Sequence, residues 1–112
     1  MDFFTYEDGL LHCESVAVDD LVRSYGTPLY VYSAETLLHH YGAIADAFER
    51  LSPTICFSVK SLSNLQVLKL LAGAGSGFDV VSGGELARVL RIGADPAKVV
   101  FAGVGKTDQE IV

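Results

Sequence analysis

Apolar residues in this 112-residue chain recur with two different rhythms. Up to residue 51 the long stretches have helical spacing. Val18, Leu21, Val22 and Tyr25 recur at three- and four-residue steps, with Asp19 and Asp20 in the first turn, Arg23 near the end and Gly26 as the stop. Leu37, Tyr41, Ile44, Phe48 and Leu51 form a second stripe, predicting one long helix capped by Ser33 and ended by Ser52-Pro53. Between the two helices Thr27-Pro28 forces an extended restart, and Leu29-Tyr-Val-Tyr32 reads as a strand. Ahead of them, residues 1–14 alternate around the turn pair Asp8-Gly9, which predicts a hairpin.

From Thr54 onward short strands alternate with helices. Thr54-Ile-Cys-Phe-Ser-Val-Lys60 reads as a strand with Ile55, Phe57 and Val59 on one face and Cys56, Ser58 and Lys60 on the other. Ser63 and Gln66 have capping-box spacing ahead of a helix through Leu65, Leu68, Leu71 and Ala72, which Gly73-Ala-Gly-Ser-Gly77 breaks. Phe78-Asp-Val-Val81 is the next strand. Ser82 and Glu85 open a helix through Leu86, Val89 and Leu90 that stops at Gly93. Asp95-Pro96 turns the chain, Val99-Val-Phe-Ala102 is a third strand, and Thr107 with Glu110 begins a third helix. This alternation implies βαβ units and a parallel sheet, an α/β fold. Three parallel strands cannot close a barrel, and an open sheet of three leaves edges and an apolar face bare. The chain therefore reads as the N-terminal part of something larger.

Composition narrows the field. Half the residues are hydrophobic and a fifth are charged, as in a folded globular chain. A net charge of −6 argues against nucleic acid, whose phosphates need clustered Lys and Arg. No apolar run reaches the length of a membrane span, and the N-terminus lacks the basic region and apolar core of a signal peptide. Cys13 and Cys56 lie far apart with no metal-ligand spacing, which predicts free thiols in a reducing cytoplasm and no metal.

Candidate chemistry gathers at the strand ends. Gly103-Val-Gly-Lys-Thr107 is no phosphate loop, because Val100 stands where that motif needs glycine. Gly73-Ala-Gly-Ser-Gly77 runs from helix to strand, the wrong direction for a dinucleotide site. Lys60 is a different matter, since ligands bind at the C-terminal ends of parallel strands. A lysine there is either a solvated residue at a loop mouth or an amine poised for a Schiff base. Asp79 lies within an apolar strand, where an unpaired carboxylate is costly; facing the same interior as Lys60, each could satisfy the other. Glu85 is accounted for by its capping box, and His12, His39 and His40 precede the α/β portion with no catalytic or metal role implied.

Phe57-Ser-Val-Lys60-Ser-Leu, with Val67-Leu68, Leu71 and Gly75 after it, resembles the lysine signature of the fold-type III pyridoxal-phosphate decarboxylases. Ser58 departs from the Pro or Ala more usual there, though a small residue is kept. Gly26-Thr-Pro-Leu-Tyr-Val-Tyr32, Gly77-Phe-Asp-Val-Val-Ser-Gly-Gly-Glu-Leu86 and Val100-Phe-Ala-Gly-Val-Gly-Lys-Thr107 are also similar to that family, in its diaminopimelate decarboxylase branch. The resemblance implies a pyridoxal-phosphate-binding (β/α)8 TIM barrel of the alanine racemase-like type, here cut after about three βα units, and a β-domain beyond it. Residues 33–112 are then the first part of the barrel, and residues 1–32 an extended and helical segment that packs with the β-domain. It implies a cytoplasmic homodimer converting a small amino acid, meso-diaminopimelate, to L-lysine, with activity only in the full-length dimer. Lys60 would be the Schiff-base lysine, and Asp79 and Glu85 would lie near it and the cofactor. The phosphate-binding loop, the histidine stacked on the ring, the acid facing the pyridine nitrogen and the dimer-interface cysteine would all come after Val112. An ornithine- or arginine-type decarboxylase, an alanine racemase and a non-catalytic cofactor-binding barrel are the alternatives within the same fold.

Overall fold

A computed structural model describes residues 2–111 and separates into two compact units, divided between Gly42 and Ala43. The first opens with the expected hairpin. Strands β1 (Phe4–Glu7) and β2 (Leu10–Cys13) pair antiparallel with Glu7 opposite Leu10, which leaves Asp8-Gly9 as a two-residue turn. Both turn residues have positive φ, 50° and 82°, as the tight turn of a twisted hairpin requires. A two-residue strand, β3 (Val16–Ala17), adds to β2; it is too short to show any periodicity in the sequence.

Helix α1 (Val18–Tyr25) matches its predicted span, and Gly26 at φ 77° closes it with an N–H donated to the Val22 carbonyl. Leu29–Tyr32, expected to be a strand, carries no strand pairing. Its β-branched and aromatic content favours an extended backbone, but none of the described residues offers it a ladder. Tyr30 is 85% exposed in consequence. Helix α2 (Ala34–Ala47) is capped as predicted by Ser33, whose Oγ accepts from Thr36 N–H at 2.9 Å. It stops four residues short of the predicted Leu51, where Glu49–Leu51 forms a tighter turn. The stripe has helical period without burial: Ile44 is 49% and Leu51 74% exposed.

The cap of α2 has a second layer. Glu14 Oε1 accepts from Ser33 Oγ at 2.8 Å and from Glu35 N–H at 2.9 Å, so the hairpin supplies an anion to the positive end of the helix. The Glu35 N–H foremost, then the Ser33 hydroxyl, hold the Glu14 carboxyl below its ordinary 4.5.

The second unit is a three-stranded parallel sheet in the order β4 (Cys56–Ser58), β5 (Gly77–Val80), β6 (Val99–Phe101), with α3 (Leu65–Gly73) and α4 (Gly83–Arg91) as the crossovers. A short α5 (Asp108–Ile111) comes after β6. One face of the sheet carries Phe57, Phe78, Val80, Val99 and Phe101 into a core with Val59, Leu68, Val89 and Ala94. The cap of α3 is Asn64 and not Ser63; the Asn64 carbonyl oxygen accepts from Gln66 N–H at 2.9 Å and Val67 N–H at 3.3 Å. Asn caps as well as Ser does, so two adjacent candidates were degenerate in the sequence. Gly75, at φ 99°, lies just past α3, and Ser76 N–H returns to the Leu71 carbonyl, confirming the glycine stretch as a helix stop. Lys106 Nζ donates to the Phe101 and Gly103 carbonyls, which makes the other glycine stretch a fixed surface loop.

Gly77 has no space for a side chain: an added Cβ would strike the Lys98 carbonyl oxygen and sit 2.9 Å from Cys56 Sγ. Gly77→Ala is expected to destabilise the sheet by about 2 kcal/mol or more, read as a lowered urea midpoint at unchanged slope. Acid should weaken the α2 cap separately. Because the folded Glu14 carboxyl titrates below its ordinary value, its stabilisation is complete above about pH 5 and is lost as pH falls through the lowered value. Thermal unfolding at about pH 6 and pH 3 should show a larger drop for the wild type than for Glu14→Gln.

Candidate active site

Parallel register decides what meets what on the sheet face away from the core. Cys56 lies beside Gly77, Ser58 beside Asp79, and Asp79 beside Val100. Phe78 and Val80, alternating with Asp79, point into the core, so Asp79 is driven to the opposite face. Ser58 Oγ approaches Asp79 Oδ2 at 3.5 Å, a long contact, and Asp79 Oδ1 is buried with no hydrogen-bond partner. Val100 has nothing to donate, and Cys56 Sγ is directed to the Lys98 carbonyl at 3.8 Å. Burial first, then the Asp79 charge, raises the Cys56 thiol above its usual range. Both causes work against the thiolate, the form in which a cysteine acts as a nucleophile.

Lys60 does not continue the strand. β4 ends at Ser58, and Val59–Ser61 forms a single tight turn closed by Ser61 Oγ donating to the Ser58 carbonyl at 2.7 Å. The predicted alternation through Lys60 therefore fails after Ser58, because serine hydroxyls compete with a ladder for backbone groups. Val59 is fully buried in the core and Lys60 is exposed at the C-terminal edge of the sheet. The expected mutual pairing is absent: among the described residues Lys60 has neither an ion pair nor a hydrogen bond, and the ion pair found is the surface Arg23–Asp20. Lys98 and Lys106, by contrast, are committed to carbonyls.

Glu85 performs the capping the sequence suggested, one residue further back. Its Oε2 accepts from Val81 N–H at 2.8 Å while Ser82 Oγ accepts from Glu85 N–H at 3.3 Å. Lys60, Asp79 and Glu85 thus lie at or just beyond the C-terminal ends of β4 and β5, with Glu85 engaged by backbone and Asp79 half unsatisfied. Two contributions leave no local signal in the sequence. The Ser58 contact depends on register, and Glu110, expected to cap only its own helix, also reaches Gly83 across 27 residues.

The C-terminal ends of these parallel strands thus carry an exposed primary amine without a partner among the described residues and, on β5, a carboxylate with one oxygen unsatisfied. An amine so placed is able to hold a carbonyl-bearing ligand through nitrogen. The chain belongs to the family described as pyridoxal-dependent decarboxylase, pyridoxal binding domain, which matches residues 35–112. It is 55% identical over 112 residues to diaminopimelate decarboxylase of Vibrio cholerae, covering 99% of this chain and 27% of that protein. The Haemophilus influenzae diaminopimelate decarboxylase is 51% identical, with 100% and 27% covered. Among solved structures, diaminopimelate decarboxylase of M. jannaschii in co-complex with L-lysine superposes with a TM-score of 0.91 at 35% identity, over 98% of this chain and 27% of that one. The α/β barrel fold expected from the sequence is thereby borne out for these strands, and the chain spans about a quarter of the length of the relatives it matches.

The residues fit a pyridoxal group on one internal observation: the buried Asp79 Oδ1 is an acceptor without a donor among the described residues, at a cost of about 1–3 kcal/mol. Asp79→Val should accordingly raise the unfolding free energy by about 1 kcal/mol in cofactor-free protein, measured by denaturant titration. A loss of stability would show that Asp79 is a structural residue.

Proposed function

We propose that the protein carrying this chain decarboxylates meso-diaminopimelate to L-lysine with pyridoxal phosphate, as a cytoplasmic homodimer active only at full length. The observation that carries this reading is the uncommitted Lys60, inside a segment matched by the pyridoxal-binding family and about half identical to diaminopimelate decarboxylases. Bound pyridoxal phosphate supplies a ring that accepts the electron pair left when the α-carboxylate departs. Lys60 contributes the amine that holds the cofactor's carbonyl carbon and yields it to the substrate amine. Asp79, half-satisfied by Ser58, presents Oδ1 as an acceptor near that amine. Glu85 keeps the first turn of α4 ordered through Val81, which fixes the strand end next to Asp79. Residues 1–32 serve as the segment that packs on the β-domain, and residues 33–112 begin the barrel.

An ornithine- or arginine-type decarboxylase and an alanine racemase share this lysine-bearing architecture. A non-catalytic barrel is disfavoured by the retention of an uncommitted Lys60 together with an Asp79 that has one oxygen buried and unsatisfied. The full-length protein should release CO2 from meso-diaminopimelate and not from ornithine or arginine, nor racemise alanine. Lys60→Ala should lower turnover by at least about a thousandfold. Turnover of ornithine without diaminopimelate would sink the substrate assignment, and no turnover of any of the four despite bound cofactor would favour the non-catalytic barrel.

A further inference from the structure

Glu110 sits in a helix of four residues, yet its carboxylate joins two separate loops at the rim of the sheet. Oε2 accepts from Thr107 N–H at 2.9 Å and from Thr107 Oγ1 at 3.0 Å, the capping of its own helix. Oε1 accepts from Gly83 N–H at 2.8 Å, the first residue of α4 and 27 positions earlier. A Cβ on Gly83 would come within 2.8 Å of Glu110 Oε1, so a side chain there would displace the carboxylate from its present position.

The contact restrains the segment that leads from Asp79 into α4. This segment contains Gly83-Gly84, and glycine has the least constrained backbone of any residue type. It is held at three points: Ala102 N–H to the Val80 carbonyl at 2.9 Å, Glu85 Oε2 to Val81 N–H, and Glu110 Oε1 to Gly83 N–H. The Gly83 N–H is one of the donors a helix start leaves without an internal partner, and an anion there is favoured by the helix dipole. Lys106, the basic side chain acting on Glu110, donates to the Phe101 and Gly103 carbonyls instead of neutralising it. The carboxylate is therefore free to serve backbone donors.

Building on the reading that Lys60 holds a pyridoxal cofactor, we propose that Glu110 is a positioning residue for the Lys60–Asp79 site, acting through Gly83. It sets the path of residues 81–85, the segment that leaves the strand end carrying Asp79, by linking the loop after β6 to the start of α4. It touches neither cofactor nor substrate in this role.

The test uses the intact protein with Glu110→Ala, Glu110→Gln and Thr107→Val. Amide exchange at Gly83, measured without cofactor, should accelerate by on the order of tenfold in Glu110→Ala. Glu110→Gln, which keeps an acceptor oxygen, should recover part of that protection. Thr107→Val removes the hydroxyl contact but spares Gly83, and should change it by less than about twofold. With pyridoxal phosphate added, the visible absorbance at Lys60 should titrate at a shifted pH in Glu110→Ala. Its kcat should fall by on the order of tenfold with KM within about twofold. Unchanged Gly83 exchange overturns the linkage. Faster exchange with unaltered absorbance and kcat overturns the positioning role, as does a Thr107→Val phenotype equal to that of Glu110→Ala. Failure of the wild type to show any Lys60-bound absorbance would refute the cofactor reading and, with it, the positioning role, while the exchange data would still report on the linkage alone.

Discussion

The register between β4 and β5 is the constraint on which the rest of the second unit depends. It requires the two backbones to run together where Gly77 faces Cys56, with the Lys98 carbonyl closing the remaining space. One residue on, Phe78 is committed to the core opposite Phe57 and Val99. Asp79 then has no choice of face, because side chains alternate and a slip of one would place a carboxylate among Val59, Leu68 and Val89. Hydrophobic burial on one side of the sheet thus holds a costly polar group in place on the other. The same register brings Ser58 alongside Asp79, leaving one carboxylate oxygen partly satisfied and the other free.

Within each unit the helix starts are closed by acceptors from near and far. Asn64 and Ser82 cap α3 and α4 locally, whereas Glu14 and Glu110 reach helix starts from other elements. Both distant carboxyls are held below their ordinary range by the backbone and hydroxyl donors they receive, so acid releases both caps in the same direction. Some of the net charge of −6 is therefore structural.

Much of this was legible in the sequence, and the reasons it was legible are local. The hairpin is written in Asp8-Gly9, α1 in its charges and Gly26, and the alternation of strand and helix after Thr54 in capping residues and glycine stops. Lys60 and Asp79 stood out because each is the wrong polarity for its apolar neighbours. What failed was non-local. Leu29–Tyr32 has strand composition but needs a partner strand, and Ile44 and Leu51 have helical spacing but no burying surface among the described residues. Periodicity reports which face could be buried, not what covers it. The turn at Val59–Ser61 was hidden by a serine hydroxyl, and the Gly83–Glu110 contact by sequence distance.

The central claim is that Lys60, which stands at the C-terminal edge of the parallel sheet while the equally uncommitted Lys69 lies within α3, is the amine that takes a carbonyl. Incubating the full-length protein with pyridoxal phosphate, reducing with borohydride and mapping the modified peptide tests it directly. The account predicts stoichiometric label on Lys60, with Lys69, Lys98 and Lys106 unmodified and no label in Lys60→Ala. Label spread over surface lysines, or undiminished in Lys60→Ala, would contradict it.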